Sequence, residues 1–149
     1  MAETAEPRVL VVEDDQLVRT FLRRALERGG LGVDEAIDGA ATLERLRDGP
    51  PPAAVLLDGL LPDMHGVVLA RRLLDDPATA ELPICFLTGA VQRRIAATAG
   101  ISCLAKPVRP TELVEEIRSL IDWSESGGSP TDERRAALEQ LGSGFLVGP

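Results

Sequence analysis

The hydrophobic positions of the chain form two alternating kinds of pattern. Short runs that are apolar at nearly every position predict strands buried on both faces. These runs are "RVLVV" at 8–12, "AAVLL" at 53–57, "LPICFLTG" at 82–89 and "ISCL" at 101–104, with a weaker strand at 32–36. Between them, apolar residues and stop signals predict helices. The predicted helices cover 17–26, 38–49, 66–74, 91–99 and 111–121.

This alternation predicts an α/β fold. Five strands in one parallel sheet, with right-handed helical crossovers on both faces, make a doubly wound domain over residues 8–122. Residues 1–7 are predicted to be an N-terminal tail, and 123–149 a linker and a short C-terminal segment. In that segment "TDERRAALEQL" is amphipathic, with Thr131 as its expected cap. It is either a further helix packed on the domain or a mobile appendage.

Composition and charge narrow the class of protein. The chain has 149 residues, of which 44% are hydrophobic and 27% charged, as expected for one globular domain. Its net charge of -8 disfavours direct nucleic-acid binding. An acidic N-terminus and apolar runs far shorter than about 20 residues predict neither a secretory signal nor membrane insertion. Cys85 and Cys103 lack CxxC spacing, which favours reduced thiols and a cytoplasmic location.

Polar residues follow the ends of the predicted strands. Glu13 and Asp14 follow the first, Asp58 the third, Thr88 the fourth, and Lys106, the only lysine, the fifth. Ligands of parallel α/β sheets bind at this edge. Clustered carboxylates repel one another unless a cation such as Mg2+ lies among them. An amine and a hydroxyl beside that cation would receive a phosphoryl group, and Asp58 is the candidate nucleophile.

Two neighbouring residues have plainer interpretations. Asp15 directly precedes the first helix and is expected to cap it. His65, the only histidine, is expected to be an exposed loop residue.

Four motifs carry a resemblance to a known family. In order they are "VLVVEDD", "VLLDGLLPDMHG", "ICFLTG" and "CLAKP". With them, residues 8–122 resemble the receiver domain of two-component response regulators. The resemblance implies the flavodoxin-like strand order 2-1-3-4-5. It also implies a signalling switch, not an enzyme: an acceptor that assists its own phosphorylation and dephosphorylation.

The resemblance assigns roles around Asp58. Asp58 would accept a phosphoryl group from a sensor histidine kinase or a phosphotransfer protein. Asp14 would bind Mg2+ (or Mn2+) directly and Glu13 through water, with Asp58 and the backbone carbonyl of Leu60 as further ligands. Lys106 would pair with the phosphoryl oxygens.

The switch would use Thr88, which follows the phosphoryl group, and a cis bond between Lys106 and Pro107. The family often has an aromatic residue where this chain has Cys103. The usual partner of Thr88 is therefore absent. The output surface implied by the family is the face formed by 91–122, which would contact an unidentified downstream protein.

Other interpretations stay open at this point. Cys103 suggests a receiver-like docking module that is not phosphorylated. The chain could also be the N-terminal receiver of a longer protein. A flavin binder is disfavoured because acids follow the first strand, and a phosphatase because Leu60 stands where a second acid is needed. Leu60 and Ala90 cannot orient a hydrolytic water, so they would affect the lifetime of the phosphorylated form.

Overall fold

A computed structural model describes residues 6–142 of the chain. The predicted tail 1–7 falls largely outside these residues, as does the end of the predicted segment 123–149. The strands are β1 (Arg8–Val12), β2 (Gly32–Ala36), β3 (Ala54–Asp58), β4 (Ile84–Thr88), β5 (Ile95–Thr98) and β6 (Ile101–Ala105). The helices are α1 (Gln16–Arg28), α2 (Gly39–Asp48), α3 (Gly66–Asp75), α4 (Pro110–Glu125) and α5 (Thr131–Leu141).

The strands form one sheet in the order β2-β1-β3-β4-β6-β5. The first five strands in this order pair in parallel, and they are the five predicted from the sequence. Their order confirms the flavodoxin-like arrangement. The additional strand β5 pairs antiparallel with β6 at the edge.

The sheet separates two layers of buried side chains. Along β1, Val9 and Val11 face the layer that contains α1 and α4, while Leu10 and Val12 face the layer of α2, α3 and α5. Because both faces are covered, the central strands are apolar at successive positions. This confirms the predicted helices on both faces.

The helix predicted over 91–99 is wrong. Val91 to Arg94 form bends and irregular backbone, and β5 follows as one arm of a hairpin with β6. Ala99 and Gly100 make its two-residue turn with φ of 51° and 74°, the positive values that tight hairpins favour. The ring of Trp123 lies so close to Gly100 that a Cβ there would be 2.4 Å from it.

The C-terminal amphipathic segment is a helix packed on the domain, the first of the two predicted alternatives. Ala137 and Leu138 are buried on the sheet layer beside α3. Arg71 of α3 pairs with Glu139 at 2.6 Å. Thr131 is the first helical residue and not the cap, because Pro130 occupies the N-cap position and no side chain bonds there.

The predictions for Asp15, His65 and the two cysteines are confirmed. The Asp15 carboxylate caps α1 by accepting the backbone N–H of Leu17 at 2.8 Å. His65 is exposed at the start of α3. Both cysteines are free and buried. Within residues 6–142, no helix has the length and apolar character needed to cross a bilayer.

Candidate functional site

The site lies at the edge of the sheet where the parallel strands end. Glu13 and Asp14 directly follow β1, and Asp58 is the last residue of β3. Thr88 ends β4, and Lys106 directly follows β6. The strand order places β1 and β3 side by side at the centre, so their acids meet.

Three carboxylates form a compact cluster. Glu13, Asp14 and Asp58 each offer one oxygen, and these oxygens all lie within 4.8 Å of one another. The three differ in exposure: Asp14 is exposed, Asp58 is partly buried and Glu13 is almost completely buried. Oxygen ligands of this kind suit Mg2+, and an exposed member leaves room for water ligands.

Lys106 supplies the positive charge that faces the cluster. Its Nζ lies 3.1 Å from Glu13 Oε1 and 3.6 Å from Asp58 Oδ2. Burial acts to lower the pKa of Lys106, but the Asp58 and Glu13 carboxylates outweigh it and the pKa is raised. The ammonium form is therefore secure at neutral pH.

The negative charge of Glu13 is destabilised by its surroundings. Burial raises its pKa, and repulsion by Asp58 adds to this rise. A hydrogen bond from the backbone N–H of Asp15 and the contact with Lys106 act in the opposite direction. A cation at this site would relieve the repulsion.

The loop after β3 is folded tightly around Asp58. The Leu60 N–H donates to Asp58 Oδ1 at 3.2 Å, and Leu60 forms an isolated bridge with His65. The Gly66 N–H donates to the Gly59 carbonyl at 2.9 Å. A Cβ on Gly66 would lie 2.5 Å from the Asp58 carbonyl oxygen, so this close approach requires glycine.

Thr88 links the site to the β4–β6 pair. Its hydroxyl oxygen accepts the backbone N–H of Ala90 at 3.1 Å, and its carbonyl accepts the Lys106 N–H at 2.8 Å. The Lys106–Pro107 bond is cis, as the resemblance implies.

Cys103 lies apart from the carboxylate cluster. It is completely buried in the layer that contains α3 and α5, beside Phe86 of the neighbouring strand. Burial raises the pKa of its thiol to about 12, so it is an unreactive apolar core residue. Because position 103 is a cysteine, it provides no aromatic side chain that could move together with Thr88.

Two residues that support the site were not predicted from the sequence. Arg19 donates to the backbone carbonyls of Glu13 and Asp14 at 3.0 and 3.3 Å, which fixes the start of the acidic segment. Asp63 accepts the first N–H groups of α2, both at 2.9 Å, and so ties the loop after β3 to that helix. The only signal for Arg19 was its position one turn after Asp15.

The fold and the site together define a class of protein. A doubly wound domain presents clustered acids, a threonine and one lysine at the ends of four parallel strands, the arrangement implied by the four sequence motifs. The model of the response regulator receiver domain matches residues 9–118. The chain belongs to this family and is a receiver domain of the two-component type.

Individual relatives agree with this membership. The response regulator receiver protein CpdR of Brucella abortus is 37% identical over 119 residues, covering 76% of this chain and 96% of CpdR. The phosphate regulon regulatory protein PhoB of Rhizobium meliloti is 34% identical, covering 77% of this chain and 52% of PhoB. The chain therefore spans nearly all of CpdR but only about half of longer regulators such as PhoB.

Solved structures show the same architecture. A response regulator structure from Chloroflexus aurantiacus has a TM-score of 0.70 and 32% identity, covering 78% of this chain and 98% of that one. The receiver domain of the sensor histidine kinase PA1611 from Pseudomonas aeruginosa has a TM-score of 0.69 and 25% identity, with coverages of 79% and 99%. That structure holds a magnesium ion coordinated in its active-site cleft.

Proposed function

We propose that this receiver domain accepts a phosphoryl group on Asp58 and signals its phosphorylation state through protein contacts. The observation that carries the proposal is the carboxylate cluster with Lys106 beside it, 3.6 Å from Asp58 Oδ2. A lone structural acid would not need two further acids and the only lysine of the chain at the same strand ends.

The reaction is a phosphoryl transfer between side chains. An Asp58 oxygen attacks the phosphorus of a phosphohistidine on a sensor histidine kinase or phosphotransfer protein. A P–O bond forms as the P–N bond breaks, and the imidazole leaves with the electron pair and takes a proton from solvent. Lys106 neutralises charge on the transferred group, and Asp58 becomes an acyl phosphate.

The same residues fit a divalent cation. Asp14 would hold Mg2+ (or Mn2+) directly and Glu13 through water, with Asp58 and the Leu60 carbonyl completing the protein ligands. The magnesium in the cleft of the PA1611 receiver supports this assignment. When bound, the ion supplies positive charge to the phosphoryl oxygens.

The phosphodonor would dock on an apolar surface next to the site, formed by Leu17, Phe21, Pro107 and Val108. Leu17 and Phe21 are 82% and 44% exposed, which is unusual for large apolar side chains. These residues line a cleft of about 530 Å³ that Lys106 also borders. A partner seated there would bring its histidine to the same edge of the sheet as Asp58.

The output would pass through the 91–122 face, whose secondary-structure elements differ from the predicted ones. Instead of a helix at 91–99, this face presents the irregular segment before β5, the hairpin and α4. Arg94 reaches across it to the buried Glu116 carboxylate at 3.1 Å. Movement of Thr88, six residues before Arg94, would alter this surface.

Three further properties belong to the proposal. The chain would act once per phosphoryl group as an acceptor and not as a turnover enzyme. A cytoplasmic location suits its two reduced cysteines. The net charge of -8 leaves a protein, and not nucleic acid, as the direct partner of this domain.

Mass spectrometry with a small phosphodonor tests the proposal. After incubation with Mg2+ and acetyl phosphate, the intact protein should gain one phosphoryl group, and Asp58→Asn should gain none. Lys106→Arg should gain it more slowly, because a longer planar fork misplaces the charge. Folded wild-type protein without any gain would instead favour a docking module that is not phosphorylated.

A further inference from the structure

We infer that the segment 91–99 has two arrangements: the β5 hairpin with α5 docked, and a helix that takes the place of α5 on the sheet. The hairpin arrangement is the one described above. The inference concerns the fold of this segment and does not depend on phosphorylation of Asp58.

The local sequence favours the helix. Val91, Ile95 and Ala99 are spaced four residues apart and would form one apolar stripe on a helix. Glutamine, arginine and alanine, which fill most other positions of the segment, are good helix formers and poor strand formers. All four residues of β5 are exposed, so the strand lacks the alternation of buried and exposed side chains that stabilises an edge strand.

The hairpin also contains a strained residue. Ala99 has a φ of 51°, the left-handed region that an alanine disfavours by roughly tenfold relative to its ordinary conformations. Local preference and tertiary structure therefore conflict at both the strand and its turn. Such a conflict is expected where two packings of one segment are close in free energy.

The two arrangements exclude each other by geometry. The crossover β3–α3–β4 and a helical crossover from β4 to β6 would run in the same direction across the sheet, because β3, β4 and β6 are neighbours in that order. Right-handed crossovers in the same direction lie on the same face. Packed helices are about 8 to 10 Å apart, and two strands span about the same width, so β4 and β6 support one helix beside α3. In the hairpin arrangement that helix is α5.

The docking of α5 includes one buried cation in addition to the apolar contacts of Ala137 and Leu138. Arg134 is fully buried, and its guanidinium donates to the carbonyls of Leu82 at 2.5 Å, of Ala99 at 2.9 Å and of Ala80. Its Cζ lies 5.0 Å from the centre of the Trp123 ring. Among the described residues it forms no ion pair, although the Glu81 carboxylate attracts it, and burial lowers its pKa. The cost of desolvating this charge therefore offsets part of the gain.

The other end of α5 borders the hairpin. A surface groove of about 240 Å³ runs between Ile95 and Ala96 of β5 and the last turn of the helix at Leu141. Leu141 packs against the core beside this groove. Exchange of α5 for a helix at 91–99 would replace one protein surface by another on this side of the domain.

Nuclear magnetic resonance of the full chain tests the inference, because Trp123 is the only tryptophan and contacts both the hairpin turn and α5. Its Nε1–H donates to Ser129 at 3.2 Å and gives one indole signal. Arg134→Met removes the anchor but retains the helix-forming stem. In this variant we expect the indole signal to move. We also expect the helical population of residues 91–99, measured by their carbon chemical shifts, to rise at least tenfold.

Two further variants make the test decisive. Arg135→Met removes the exposed neighbouring arginine, which pairs with Asp75, and should change neither signal. Ala99→Gly relieves the left-handed strain and weakens the helix. When it is combined with Arg134→Met, the ratio of strand to helix in residues 91–99 should therefore rise about tenfold. A moved indole signal with residues 95–98 still in strand conformation would overturn the inference. Strand chemical shifts for residues 95–98 in every variant would also overturn the inference, whether or not α5 stays docked.

Discussion

Asp58→Asn should stabilise the protein when no divalent cation is present. The substitution keeps the size of the side chain and the oxygen that accepts the Leu60 N–H, but it removes one charge from the cluster. Proteins that gather like charges for function lose folding free energy by doing so, and the size of that loss follows from the distances.

The expected gain is about 1 to 2 kcal/mol. The carboxylate oxygens lie at most 4.8 Å apart, so with an effective dielectric constant of about 20 each of the other two repels Asp58 by about 3 kcal/mol or more. Lys106 at 3.6 Å attracts it by about 4 to 5 kcal/mol. The two repulsions exceed the one attraction by about 2 kcal/mol. Because Asp14 is exposed, solvent screens part of this excess.

Urea denaturation with a chelator, and again with Mg2+, measures the effect. With chelator the variant should have the higher midpoint at an unchanged slope. With Mg2+ the order should approach equality or reverse, since a ligand at ten times its Kd stabilises the wild type by about 1.4 kcal/mol and binds the variant less well. Asp48→Asn, an exposed acid away from the site, should change stability by less than about 0.5 kcal/mol. A variant less stable than wild type in chelator would refute this reasoning.

Three further substitutions test other parts of the structure. Cys103→Phe should lower the free energy of unfolding in urea by about 1 to 3 kcal/mol, because the position is completely buried and lacks space for a phenyl ring. Gly100→Ala should cost at least about 1 kcal/mol, since its φ is 74° and a Cβ would meet Trp123, whereas Gly89→Ala has open space and should cost less than Gly100→Ala. Asp34→Asn should cost about 1 kcal/mol at pH 7. Hydrogen bonds from Arg8 and Arg45 lower the Asp34 pKa below 3.8, so this contribution to stability is present above that pH. The difference in stability between the two proteins should therefore disappear as the pH falls through the lowered pKa. Equal pH profiles for the two proteins would contradict the last expectation.

The parallel sheet could be predicted because its signal is local and repeated. Each central strand is buried on both faces, so its sequence is apolar throughout, and the acids that follow lie at one edge once the strands are parallel. The contacts that fix the acids were harder to predict. Arg19 reaches the carbonyls of Glu13 and Asp14 from α1, and apart from its position one turn after Asp15 nothing in the nearby sequence distinguishes it from the other arginines.

The segment 91–99 shows where local reasoning fails for a physical reason. Its sequence favours a helix, and such a helix would cover the sheet face beside α3. That face is occupied by α5, which begins more than thirty residues later and is anchored through the buried Arg134. A charged residue in a short amphipathic segment ordinarily predicts exposure, so its burial was not readable from the sequence. The information that excludes the helix at 91–99 therefore lies outside that segment, and a change confined to α5 should be sufficient to alter its fold.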